Sequence, residues 1–95
     1  MIIPINEQYR ITTDPYQWIV QKKRSRKNKE DWEPQTYHPS LDAAIHSLWE
    51  HLVRASDAET EADALRDIER ITTTFSQALV PHSESILKAM AKEQG

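Results

Sequence analysis

The chain has no cysteine, and its one glycine is the last residue, Gly95. Without cysteine there is no disulfide, no thiolate metal ligand and no thiol nucleophile, so folding is indifferent to redox compartment and the reducing cytoplasm is the expected setting. Without internal glycine, P-loop and dinucleotide-binding turns are excluded, because those turns need a residue lacking Cβ where backbone meets phosphate. No serine stands in a nucleophile-elbow context. No apolar run approaches the roughly 20 residues that cross a bilayer. Met1-Ile2-Ile3-Pro4-Ile5 is too short for the apolar stretch of a signal peptide and has no basic residue ahead of it, so we expect neither a leader nor a membrane partner.

What is present is uneven. The 95 residues suffice for one core and not for two, and we expect a single domain over 1–95. A core this small leaves modest stability, for which self-association is a natural remedy. The net charge of −3 divides into seven basic and five acidic residues over 1–40 against five basic and ten acidic over 41–95. A basic end and an acidic end suit an anionic partner at one site, with overall charge keeping the chain dissolved.

Residues 1–40 also hold four of the five prolines and most of the aromatics, so the β-structure is expected there. Tyr9 to Thr13 alternate, with odd positions facing a core and even positions facing solvent. Asp14-Pro15 is a turn signal. Tyr16 to Lys22 are rich in β-branched and aromatic residues and make a second strand. Lys22 to Lys29 read KKRSRKNK, an exposed hairpin tip, and Trp32 to Tyr37 return as a third strand, which Pro34 confines to a sheet edge or to the residues after it. Ser40 is an N-cap candidate ahead of a helix whose Leu41, Ala44, Ile45, Leu48, Trp49 and Leu52 form one apolar stripe. Ser56-Asp57-Ala58-Glu59 fits a capping box, and from it a second helix is expected. In that helix Leu65, Ile68, Thr72, Phe75 and Leu79 recur at the spacing of a helix–helix seam, which is expected either to build a homodimer or higher homo-oligomer on those five residues or to pack internally on the first and last helices. Past Pro81, Ser83 can cap a short last helix. The expected fold is α+β: an N-terminal three-stranded antiparallel meander over 1–40, with its basic hairpin tip, packed on two to three helices drawn from 41–95.

The basic tip is the sharpest feature. Six of the twelve lysines and arginines, Lys22, Lys23, Arg24, Arg26, Lys27 and Lys29, fall within eight residues, with Trp18 and Trp32 in the strands on either side and Tyr37 beyond. Phosphate contacts beside stacking platforms are what a nucleotide or single-stranded nucleic acid requires. The same tip also fits a solvated hairpin end that keeps a sheet edge from aggregating. His46, Glu50 and His51 share a stretch of the first helix, in an order that matches neither the zincin nor the inverzincin motif, so a polar helix face is expected and no metal or other cofactor. The carboxylates from Asp57 to Glu69 are spaced for solvent, with Arg66 and Arg70 placed to pair with them.

Ile3-Pro4-Ile5-Asn6 through Tyr9-Arg10-Ile11, then Tyr16 to Lys22, then Tyr37-His38-Pro39-Ser40-Leu41 through Ala44, resembles a group of small uncharacterised bacteriophage proteins. In that group a Tyr-Arg-Ile strand, a basic hairpin and a Tyr-x-x-Ser/Thr-Leu-x-x-Ala helix start recur. The resemblance covers about half the chain and brings no catalytic residues. It implies an accessory phage product in the host cytoplasm, of the kind that blocks or titrates host defence.

The expectation is therefore a protein that is not an enzyme and that binds a nucleotide-type anionic ligand or a host defence protein through the basic hairpin and its aromatics. The alternative is a small nucleic-acid-binding regulator that inserts the hairpin into a groove as a β-ribbon.

Overall fold

The computed structural model of the chain describes residues 1–26 and 29–94; within them, the side chains at 25–26, 29–30, 90 and 92–94 are not described. The elements are β1 (Ile2–Pro4), β2 (Tyr9–Thr13), β3 (Trp18–Arg26), β4 (Lys29–His38), α1 (Leu41–Arg54), α2 (Glu61–Leu79), a 3₁₀ turn (Val80–His82) and α3 (Ser83–Gln94). The fold is α+β as expected, with four strands where three were read.

The strands form one antiparallel meander in the order β1-β2-β3-β4. The additional strand, β1, is three residues long and lies on the sheet edge, where Pro4 has no ladder partner to deprive on its outer side. Its turn into β2 is closed by Asn6, whose Oδ1 accepts the backbone N–H of both Gln8 and Tyr9 at 2.8 Å. The Asp14-Pro15 turn uses the same device: Asp14 Oδ1 accepts N–H bonds from Tyr16 and Gln17 at 2.8 Å each. The Tyr16 bond is the main cause that holds this carboxyl below its ordinary pKa.

Cross-strand partners share a face of the sheet, and successive residues alternate between faces. Ile3, Ile11 and Val20 therefore stand in one row, and all three are buried. They meet Leu41, Ala44 and Leu48 of α1, at the i, i+3, i+7 spacing that keeps one helical face inward. α1 starts where expected: Ser40 Oγ accepts the Ala43 N–H at 3.2 Å. It packs on β3 and β4, while α2 packs on α1 and β1, so both helices close over the same side of the sheet.

The start of α2 and the opening of α3 differ from expectation. α2 begins at Glu61, capped by Thr60, whose Oγ1 accepts the Asp63 N–H at 3.1 Å. The hydroxyl of Ser56 donates to the carboxylate of Asp67 and accepts the Ala58 N–H at 3.3 Å, in a turn ahead of the helix rather than in a capping box. The inward face of α2 is centred on Ile71 and Phe75, both buried, with Ala78 and Leu79 packed beside them. Of the five seam residues, Phe75 is thus core, Ile68 and Leu79 are half-buried, Thr72 is exposed and accepts Trp49 Nε1–H at 3.2 Å, and Leu65 is 57% exposed. At the start of α3, Ser83 is itself helical and makes no cap, because the Val80–His82 turn carries the chain through Pro81 without a break.

Candidate functional site

The basic segment is strand from Lys22 to Arg26 and again at Lys29. β3 and β4 pair from Trp18↔His38 out to Arg26↔Lys29, well past the last pairing of β2 with β3 at Tyr9↔Lys22. A two-stranded ribbon therefore projects from a four-stranded base. In its register Lys22 lies opposite Glu33, Lys23 opposite Trp32, Arg24 opposite Asp31 and Ser25 opposite Glu30. The three acidic residues that follow the basic run in sequence are folded back against it.

The pleat then sorts these charges. On the helix side stand Lys22 and Arg24 with Asp31 and Glu33, two cations against two carboxylates. Arg24 Nε meets Glu33 Oε2 at 2.6 Å, with both side chains about half exposed and the approach off the line of a regular hydrogen bond. Lys22 Nζ lies 5.8 Å from the ring centroid of Tyr9 on the same side. The open side carries Arg10 and Lys23 among the described residues, in the rows that also hold Gln21 and Trp32. The Arg10 guanidinium carbon sits 4.2 Å above the centroid of the Trp32 ring, and its Nε donates to Gln21 Oε1 at 2.6 Å. Stacking and hydrogen bond together fix the plane of that guanidinium.

A register shift between Val20 and Gln21 makes Gln35 an extra residue in β4, so Pro34 lies opposite Gln21 and Thr36 opposite Val20. The bulge moves Tyr37 onto the open side, opposite Ile19, where it is 55% exposed. Trp32, Arg10, Lys23 and Tyr37 thereby share one face.

The expected ligand residues thus part company. Trp18 is 5% exposed and belongs to the core on the helix side, so it offers no stacking platform. Trp32, Tyr37 and Lys23 are together on the open face; Lys22 and Arg24 point to the other side, where carboxylates face them. Arg26 and Lys29 close the ribbon as a backbone pair, their side chains not described, and Lys27 lies outside the described residues. Arg10 was not among the expected residues. Its signal is its even position in the Tyr9–Thr13 alternation, which sends a cation to the solvent face.

Elsewhere, His46 Nε2 pairs with Glu50 Oε1 at 3.1 Å and its ring stacks on Trp49, while His51 Nε2 lies 3.2 Å from Tyr9 Oη. Among the described residues no three metal-ligating side chains come together. A cavity of about 380 Å³ lies between α1 and β4, lined in part by Tyr9, Thr36, Glu50 and His51, and one of about 570 Å³ lies between the Asp14-Pro15 turn and α3. Neither is lined by Arg10, Lys23, Trp32 or Tyr37. No helix among the described residues is long and apolar enough to cross a membrane.

No family model matches the chain. No solved structure matches it either. It is 30% identical, over 81 residues that cover 80% of this chain and 89% of the other, to the "Uncharacterized 10.2 kDa protein in GpA 5'region" of Escherichia phage P2. At that identity and coverage, the chain belongs to the family of this phage P2 protein.

Proposed function

We propose that the chain is a non-enzymatic phage accessory protein that binds a nucleotide-type anion on the open face of its sheet. The observation that carries this reading is the Arg10 guanidinium held 4.2 Å over Trp32 by Gln21, with Lys23 in the next row and Tyr37 exposed on the same face. A cation of fixed orientation recognises phosphate, and an exposed aromatic ring stacks a base. The ribbon as a whole is a weaker candidate, because Lys22 and Arg24, two of its three lysines and arginines with described side chains, face carboxylates on the helix side.

Binding in place of chemistry is supported by how the polar side chains are used: His46 pairs with Glu50, Asp67 with Ser56 and Arg70, and Asp14 with its own turn. Sequestration of such a ligand is the form a role against host defence would take, and kinship with a phage protein supports that setting. Native mass spectrometry of the chain purified from infected cells should show a retained mass of nucleotide or oligonucleotide size, lost in an Arg10→Ala/Tyr37→Ala variant. A wild-type chain that carries none, and whose amide NMR spectrum is unmoved by nucleotides and oligonucleotides, would overturn the proposal.

A further inference from the structure

We infer that Arg10 takes its ligand end-on, through both terminal guanidinium nitrogens at once, so that the open face selects a group with two neighbouring acceptor atoms and a lysine could not serve in its place. The inference rests on the reading just given and specifies the contact which that reading leaves open.

A guanidinium has five N–H donors in one plane and two flat faces. On Arg10 much of this is already in use. Nε donates to Gln21 Oε1 at 2.6 Å, which occupies the side edge that would otherwise help to grip an oxyanion. One flat face is covered by Trp32, whose ring centroid is 4.2 Å from the guanidinium carbon. What is left is the far end, where the two terminal nitrogens present parallel N–H groups. Among the described residues Arg10 has no carboxylate partner, and Gln21 and Trp32 account for its polar and ring contacts. Because those two hold the plane, the free end is ordered before a ligand arrives, and less entropy is lost on binding.

An ammonium attracts an anion as a point charge from any side; a fixed fork requires two acceptors side by side in its own plane. Within a nucleotide two groups meet that condition: a pair of phosphate oxygens, and the O6 and N7 edge of guanine. Adenine sets a donor beside its acceptor on that edge. Lys23 has no part in the inference. It already has a partner, and the Ser25↔Glu30 pairing puts an acidic position on the same face in the row beyond it. Selection therefore falls on the geometry of Arg10 rather than on accumulated positive charge.

The test is an amide NMR titration of the parent and of Arg10→Lys, which keeps the charge and loses the fork, with guanosine monophosphate, adenosine monophosphate and guanosine. Arg10→Lys, checked for folding by circular dichroism, should lose about 10- to 150-fold in affinity, one charge-assisted hydrogen bond converted to binding. Given that loss, equal binding of the two monophosphates with none of guanosine assigns the fork to phosphate. Guanosine bound as tightly as its monophosphate, with the adenine nucleotide weaker, assigns the fork to the base edge and removes the anion from the broader proposal. If Arg10→Lys binds like the parent, the inference falls and the broader proposal stands; if the parent binds none of the three, both fall.

Discussion

On one side of the sheet Ile3, Ile11 and Val20 form a row that α1 and α2 close over; on the other, the same three strands put Ile2, Thr12 and Ile19 in a row that leads to an exposed Tyr37. The two faces share a backbone and differ in what water can reach. On the helix side apolar burial does the holding, and charges that reach past the core, Lys22, Arg24, Asp31 and Glu33, balance one another. On the open side Arg10 and Lys23 share a face with Trp32 and Tyr37. Stability resides on the first face, and the anion site we propose lies on the second.

The comparison breaks most clearly by truncating each face in turn. Ile11→Ala, at a fully buried site, should cost about 2–5 kcal/mol in a urea titration, through lost transfer energy and the cavity left behind. Tyr37→Ala should stay within about 0.5 kcal/mol of the parent. Equal losses would mean that the open face is structural after all. Next in size is the cap that seats α1: Ser40→Ala should cost about 1 kcal/mol, and Ser40→Asp, which keeps an acceptor for the Ala43 N–H, should restore most of it.

A smaller effect tests the balanced side of the ribbon. Arg24 and Glu33 approach closely, yet both are about half exposed, so solvent screens the pair. A double-mutant cycle with Arg24→Ala and Glu33→Ala should give a coupling of about 0.2–1 kcal/mol that shrinks as salt is raised. A coupling that salt leaves untouched would place this pair in the stability ledger of the core rather than at its margin.

Much of this architecture was legible in the chain. The Tyr9–Thr13 alternation, the Asp14-Pro15 turn, the Ser40 cap and the Leu41, Ala44, Leu48 stripe each carry a local rule that tertiary packing did not overrule. β1 was not legible, because three residues ending in proline show no period and become a strand only by pairing with β2. The start of α2 was expected at Ser56, but the chain turns there, with Ser56 bonded to Asp67 11 residues away and to the Ala58 N–H, and the helix opens only at the next hydroxyl, Thr60. The inward face of α2 shifted onto Ile71 because β1 and α1 set the helix rotation, which spacing from Leu65 does not reveal. At the site, the charge run was legible as composition and its sorting was not. That sorting needs the register of β3 on β4 and the extra residue at Gln35, which decide that Trp32 and Tyr37 share a face while Trp18 goes to the core.

Register is in turn held by the turns, where the smallest predicted effect lies. A slip of one residue between β2 and β3 would exchange the two faces, carrying Ile11 outward and Arg10 inward. Asp14 guards against it by accepting the N–H groups of Tyr16 and Gln17. Because those bonds favour the ionised carboxylate, its folded pKa lies below its unfolded one, so at intermediate acidity the unfolded chain binds a proton that the folded chain does not. The stabilisation is therefore complete above the unfolded pKa and disappears as pH falls through the lowered folded value. Asp14→Asn keeps an Oδ1 acceptor and removes the titration. Denaturation midpoints taken downward from about pH 6 should fall more for the parent than for Asp14→Asn, the gap opening in the carboxylate range. Parallel curves would show that the turn holds its register without help from the charge of Asp14, and that the separation of the two faces is enforced by apolar burial of Ile11 and Val20 alone.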